Sequence, residues 1–131
     1  TNGTATTFAT SSDYRLKENN VSITNGIERV KLLKPYRFNF IADADKIVDG
    51  FYAHETQAVV PEAVVGTKDA MRTEEYEVTP AVLDDGNIVT EAVMGTREVP
   101  DYQGIDQSKL VPLLTAALQE AIQRIEALEN A

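Results

Sequence analysis

The sequence contains no cysteine and only one histidine. Without cysteine, the chain can form neither a disulfide framework nor a thiolate metal site, and it has no thiol nucleophile. The sequence also lacks an HExxH motif, a glycine-rich phosphate loop, a calcium loop and a GxSxG elbow. We therefore expect no metal site and no cofactor.

Basic residues and long apolar runs are scarce as well. Lys and Arg total 12 against 21 Asp and Glu, which gives a formal net charge of −9, and no segment gathers the basic residues into a stripe. Nucleic acid is therefore not an expected partner. No apolar run approaches the roughly 20 residues that span a bilayer, and the opening TNGTATTFATSS lacks the basic and apolar parts of a signal peptide. We expect a soluble chain without a membrane partner.

The composition that remains is typical of a folded domain. The chain has 131 residues, of which 43% are hydrophobic and 25% charged, enough for one domain with a modest core. Residues 1–12 are Thr-rich and uncharged, unlike the charged chain that follows. This change in composition predicts the end of a preceding module at 1–12 and a separate domain at 13–131.

The first half of that domain shows short α and β patterns. Val21 and Ile23 alternate with small polar residues, as in a short strand. Asn25 is suited to cap an amphipathic helix that Pro35 ends. The aromatic residues of YRFNF, at 36–40, alternate with polar ones, so this strand should turn its aromatic face to the core before a polar turn at 43–46.

The next segments predict a helix and an arm. Residues 50–60 should begin extended and continue as a helix that Pro61 ends. Residues 65–104 contain two strand-like stretches around turn residues at 84–87, which predicts an extended β-hairpin arm. Because an isolated hairpin is only marginally stable in water, we expect the arm to lean on another subunit.

The last segment, 107–130, predicts a long helix with an apolar stripe. Asp106 or Ser108 can cap it, and Pro112 fits only in its first turn. We call the "seam" the apolar residues that recur at spacings of three and four, namely Val111, Leu114, Leu118, Ala121, Ile125 and Leu128. The seam fits a coiled coil and packing on the domain's own core equally well. Three further residues, Leu110, Leu113 and Ile122, widen the apolar face and favour several packing neighbours.

Two places could carry chemistry. Ser12 could be a nucleophile if a desolvated, neutral Lys17 took its proton, but a separation of five positions requires a bend or a lysine from another chain. His54, beside Glu55 and Gln57, could act as a base or stabilise an oxyanion. Taken alone, the residues favour the plainer alternatives, a capping serine with a solvated lysine and a structural histidine.

Three motifs occur in this order along the chain: SSDYRLKEN, GFYAHETQAVVPEAV and DYQGIDQSKLVPLLTAALQEAIQRIEALE. Together they resemble the C-terminal intramolecular chaperone domain of endosialidases and related phage tail fibres and tailspikes. The first is the most specific, because it matches the family's Ser-Asp-x-Arg-Leu-Lys-Glu-Asn. The resemblance covers about 11–131, and departs from the family's usual aliphatic residues at Tyr52 and Thr56.

The resemblance implies an α+β fold with a small mixed core, an extended hairpin arm and a C-terminal helix that forms a trimeric bundle or coiled coil. It implies a homotrimer whose folding client is its own N-terminal fibre module, in the host cytoplasm during phage assembly. Release from the virion fibre would follow autoproteolysis between Ser12 and Asp13, a single-turnover, serine-type reaction. The implied residues are Ser12 as nucleophile, Lys17 as base, His54 and Gln57 as holding or polarising groups, and Arg15, Glu18 and Glu55 in support.

Geometry limits how that bond could break. Attack by the Ser12 hydroxyl on its own carbonyl would close a strained four-membered ring. A hydroxyl from another chain, an activated water or the Asp13 carboxylate remain as attacking groups. Two other functions are compatible with the sequence: a structural trimerisation or adhesin domain that is not cut, and, ranked last, a small-molecule hydrolase using Ser12, Lys17 and His54.

Overall fold

The computed structural model describes residues 11–131, so most of the predicted preceding module lies outside the described residues. It contains three α-helices, α1 Gly26–Val30, α2 Ala53–Gln57 and α3 Val111–Glu129. The strands are β1 Tyr36–Phe40, β2 Asp43–Gly50, β3 Val64–Val65, β4 Met71–Thr79, β5 Val82–Asp84, β6 Asn87–Thr90, β7 Val93–Pro100 and β8 Gly104–Ile105. This mixture confirms the α+β class and the long C-terminal helix. None of the helices in this part of the chain is long and apolar enough to cross a membrane.

All strand pairs within residues 11–131 are antiparallel and two-stranded: β1 with β2, β3 with β8, β4 with β7 and β5 with β6. We call residues 71–100, from β4 to β7, the "arm". At its tip, Asp85 and Gly86 have φ of 52° and 80° and connect β5 to β6. Two successive positive φ angles are typical of a type I′ hairpin turn, which Asp-Gly favours.

The core is small and lies where the base of the arm meets α3. Its buried residues are Val60, Ala63, Val64, Leu110 and Leu113. A second contact joins α1 to α3, where the backbone of Gly26 lies directly against the backbone of Ala117. The core therefore involves only the first two turns of α3, and the arm extends away from it.

The two sides of α3 differ sharply in exposure. Leu110 and Leu113 are 2% and 3% exposed and pack on the domain's own core. Five seam residues stay exposed in the single chain, at 56% for Val111, 44% for Leu114, 61% for Leu118, 55% for Ile125 and 77% for Leu128. In this chain, the seam therefore does not pack on the domain's own core, which was one of the two interpretations of its pattern.

Several local predictions were right and others were wrong. Pro112 does fall in the first turn of α3, and Asp106 caps the single 3-10 turn Gln107–Leu110 that precedes it. No strand forms at 21–23, where Val21 is 87% exposed. The polar stretch 43–46, predicted as a turn, belongs to β2.

The aromatic face of β1 does not reach the core. Tyr36 is 38% exposed and Phe40 63% exposed, and only Phe38 is half-buried. The reason is that β1 pairs with β2 alone. Only Tyr36, at the start of β1, meets the ring of Tyr52 beside α2, so most of the aromatic face has no layer against it. The two helices also end before the prolines that were expected to end them, at Val30 and at Gln57.

Candidate functional site

The predicted cleavage site lies at the start of a single helical turn. Asp13 is the N-cap of the 3-10 turn Tyr14–Leu16, and its side chain accepts a hydrogen bond from the backbone N–H of Arg15. The Leu16 N–H donates to the Asp13 carbonyl at 3.0 Å, and the Lys17 N–H donates to the Tyr14 carbonyl at 3.1 Å. These bonds supply the bend that a separation of five residues requires.

A bidentate ion pair between Arg15 and Asp13 stabilises the turn. Arg15 Nε lies 2.9 Å from Asp13 Oδ1, and the second guanidinium nitrogen lies 3.0 Å from Oδ2. We call this pair, together with the N–H bond from Arg15, the "fork". The hydrogen bond from the Arg15 side chain is the main reason why the pKa of Asp13 lies below its ordinary value of 3.8. The carboxylate therefore stays ionised over a wider pH range.

The bend places Lys17 on Ser12. Lys17 Nζ lies 2.6 Å from Ser12 Oγ, a hydrogen-bond distance. Every residue from 11 to 24 is exposed in the single chain, so water reaches both groups. Because burial is what favours the neutral form of a lysine, the contact alone does not make a base. Another surface would have to cover it.

The second predicted group lies on α2 and at the base of the arm. His54 is exposed and its ring is stacked at 6.2 Å on that of Tyr52. Gln57 accepts a 3.1 Å hydrogen bond from Gln103, and Glu55 accepts a 3.4 Å bond from the Tyr36 hydroxyl. That bond to Glu55 is the main cause of a raised pKa at Tyr36. These contacts hold α2 against β1 and against the end of the arm.

The chain does not join the two groups. Within residues 11–131, no hydrogen bond connects Ser12 or Lys17 to His54 or Gln57. An open cleft of about 580 Å³ runs past His54 between Thr67 and Gln103, and neither Ser12 nor Lys17 lines it. Among the predicted supporting residues, Arg15 contacts Asp13 and Glu55 lies on α2, whereas Glu18 has no hydrogen bond or ion pair to another described residue. The described residues therefore do not form one shared site.

Sequence reasoning missed two contacts. It named Arg15 only as a supporting residue, although an arginine two residues after an aspartate can form a local fork on it. It did not name Gln103, whose side chain reaches Gln57 across 46 positions of sequence. No local pattern signals a contact of that range.

Comparison with known proteins agrees with the motifs. Residues 12–65 match the model of a peptidase family described as chaperone of endosialidase. No curated protein matches the chain. A solved structure described as a novel intramolecular chaperone is similar in fold, with a TM-score of 0.53 and 20% identity, over 86% of this chain and 99% of that one. Residues 12–65 are therefore similar to the family described as chaperone of endosialidase, and the fold of the chain is similar to that of a solved intramolecular chaperone.

Proposed function

We propose that this chain is an intramolecular chaperone that assembles as a homotrimer, guides the folding of a phage tail-fibre or tailspike module at its N-terminal side, and is then released by cleavage between Ser12 and Asp13. The single observation that carries the release step is the 2.6 Å contact of Lys17 Nζ with Ser12 Oγ beside that bond. Assembly would take place in the host cytoplasm, and the released domain would be absent from the finished virion.

The exposure of the seam supports assembly through α3. The five large side chains Val111, Leu114, Leu118, Ile125 and Leu128 follow one another along the helix, and each is at least 44% exposed. Burying apolar surface yields roughly 25 cal/mol per Å². Packing of three copies of α3 along their seams would remove this surface from water, while Leu110 and Leu113 keep each helix attached to its own domain.

The exposure of Ser12 and Lys17 supports a link between assembly and cleavage. In one chain, both side chains are in contact with water. If an adjoining subunit covered them, burial would favour neutral Lys17, which could then accept the proton of an attacking hydroxyl or water. That oxygen adds to the Ser12 carbonyl carbon, and collapse of the tetrahedral adduct breaks the C–N bond, so that the Asp13 nitrogen leaves as an amine after taking up a proton. Where the attacking group is a hydroxyl, water then hydrolyses the ester that forms. Cleavage would thus report completed assembly.

A removable trimeric domain solves a folding problem. Fibre modules are long-range β assemblies, which fold slowly and depend on register. Holding three chains together raises their effective concentration, so that a three-body encounter becomes nearly intramolecular. Once the assembling domain is cut away, the fibre loses the element that would help it refold or rearrange. Its stability is then kinetic, because it depends on a slow rate of unfolding.

The intact mass of purified, incubated protein tests the release step. We expect the wild-type chain to lose residues 1–12 in a single cut, and Ser12→Ala and Lys17→Ala to stay full length, because each removes one partner of the 2.6 Å contact. Lys31→Ala is the matched control, since it removes an exposed lysine outside the motif and should be cut normally.

The remaining outcomes separate the rival functions. An intact wild-type chain that still trimerises would identify a structural trimerisation or adhesin domain. Rapid cleavage of both Ser12→Ala and Lys17→Ala would remove these residues from the reaction. The small-molecule hydrolase has the least support, because the cleft at His54 is not lined by Ser12 or Lys17.

A further inference from the structure

We infer that the fork between Asp13 and Arg15 is the positioning element of the cleavage reaction, and that it withholds the Asp13 carboxylate from attack on the bond. This inference rests on the proposed function, since it concerns the same bond. It assigns Arg15 the role of a positioning residue, and it leaves water or a hydroxyl as the attacking group.

The first step of the argument is how Lys17 reaches Ser12. Ser12 and Lys17 lie on either side of the turn Tyr14–Leu16 and its N-cap, the side chain of Asp13. Isolated turns of this length are not stable by themselves, because a single hydrogen-bonded turn fixes several dihedral angles for little gain. Beside its two backbone hydrogen bonds, this turn is closed by the three bonds from Arg15 to the Asp13 carboxylate, at 2.9, 2.9 and 3.0 Å. The fork is therefore the side-chain contact that holds the turn from which Lys17 reaches Ser12.

The second step concerns the carboxylate as a nucleophile. For Asp13 to cut the bond that precedes it, one of its oxygens must attack the Ser12 carbonyl carbon and close a six-membered ring. The C–N bond then breaks, the Asp13 nitrogen leaves as an amine after taking up a proton, and the mixed anhydride that remains between the two residues is opened by water. Both oxygens instead accept hydrogen bonds from the guanidinium. A carboxylate that accepts two charge-assisted hydrogen bonds is a weaker nucleophile, and rotation toward the carbonyl would break the fork.

The third step is that the fork acts locally. The side chains of Arg15 and Asp13 are 76% and 45% exposed, and exposed ion pairs contribute little to the stability of a fold. Changing Arg15 should therefore alter the geometry at the bond while the domain stays folded. A second ion pair with two hydrogen bonds, between Arg37 and Asp49 on the hairpin of β1 and β2, has a matching 2.9 Å bond and an arginine that is 74% exposed, so it provides the control.

The kinetic test compares Arg15→Lys with Arg37→Lys. Lysine keeps the charge but cannot donate two parallel bonds to one carboxylate. We expect cleavage of Arg15→Lys to slow by about 100-fold, the order of loss that follows a displacement of about 1 Å at a reacting centre, and Arg37→Lys to be cut at the wild-type rate. Equal rates for Arg15→Lys and the wild type would overturn the positioning role.

Cleavage in ¹⁸O-labelled water tests the attacking group. We expect the label in the new α-carboxylate of Ser12 and none in the side chain of Asp13, because water or a hydroxyl attacks the carbonyl carbon. An anhydride can also be opened at the Asp13 side-chain carbon, which would place label there. Label in the Asp13 side chain of the wild-type product would overturn the second half of the inference. The position of the label reports the attacking atom, and it does not depend on whether Arg15 also stabilises the fold.

A measurement on uncut protein separates this inference from the proposed function. In the Ser12→Ala background, nuclear Overhauser effects should join the methyl group introduced at position 12 to the Lys17 side chain, persist in the double variant with Arg37→Lys, and vanish with Arg15→Lys. Their persistence with Arg15→Lys would overturn the positioning role even if every chain stayed uncut. If the wild type stayed uncut while the nuclear Overhauser effects followed the expected pattern, the proposed cleavage would be wrong and the positioning of Lys17 by the fork would be supported.

Discussion

At the scale of residues, the contact between Ser12 and Lys17 shows what spacing alone could not predict. Five positions share no face of a regular helix or strand, so the sequence required a bend without specifying one. The bend is a single 3-10 turn, and its cap is the Asp13 carboxylate. The residues that form the turn stand in the sequence in the order Asp, Tyr, Arg. The bond between the Arg15 and Asp13 side chains depends on a geometry that the periodicity of the sequence does not describe.

Asp106 makes a testable prediction about pH. Its carboxylate accepts bonds from the Ser108 hydroxyl at 2.6 Å and the Ser108 N–H at 3.1 Å, and these hold its pKa below 3.8. Because the pKa is lowered in the folded state, its stabilising effect is complete above 3.8 and is lost as the pH falls through the folded value.

Asp106→Asn should therefore be less stable than the wild type near pH 7 and approach it at about pH 3. Asparagine can still accept the bonds from Ser108 but carries no charge to lose. Urea unfolding at the two pH values measures the difference. A difference in the free energy of unfolding that is the same at both pH values would show that the charge of Asp106 contributes nothing.

Gly26 makes a prediction about packing. A Cβ atom at this position would lie 2.7 Å from the backbone nitrogen of Ala117 and 2.8 Å from its Cα, and neither atom can move without shifting α3. We expect Gly26→Ala to lower the free energy of unfolding by about 1 to 3 kcal/mol, the usual cost of overpacking. Gly104→Ala is the control, because its Cβ meets only a side-chain methyl group of Val65, at 3.1 Å. Equal losses in the two variants would contradict this account of the contact.

At the scale of elements, α3 is the best predicted part of the fold and β2 the worst. The repeat of apolar residues in α3 spans several turns, and long amphipathic patterns are the strongest sequence signal. Strand β2 reads DADKIVDG and has no apolar alternation, since it pairs only with β1 and lies mostly exposed. A strand without a buried face leaves no hydrophobic pattern for sequence reasoning to detect.

The division of α3 into two faces yields a prediction about assembly. Leu118 is 61% exposed on the seam, whereas Leu113 is 3% exposed in the core. We expect Leu118→Glu to convert a trimer to single chains without unfolding the domain, because three carboxylates would meet at the seam. Gln119→Glu is the matched control, as it adds the same residue one position away. Size-exclusion chromatography and circular dichroism together measure both properties, and a Leu118→Glu chain that stays trimeric would contradict the role of the seam.

At the scale of the whole molecule, a small core is combined with an arm and a hairpin that expose apolar side chains. Among the described residues, the buried hydrophobic side chains are Val60, Ala63, Val64, Leu110, Leu113 and Ala117, a small set for a domain of this length. The arm and the hairpin of β1 and β2 expose apolar side chains, including Val82, Leu83 and Ile88, at 52%, 60% and 57%. This exposed apolar surface is what the proposed assembly of several chains would cover.

Native mass spectrometry of the incubated wild-type chain tests the central claim most directly, because one spectrum reports both the number of copies and the length of each. The account predicts a complex of three chains, each beginning at Asp13, with residues 1–12 released. A spectrum of single, uncut chains of 131 residues after prolonged incubation under folding conditions would contradict it.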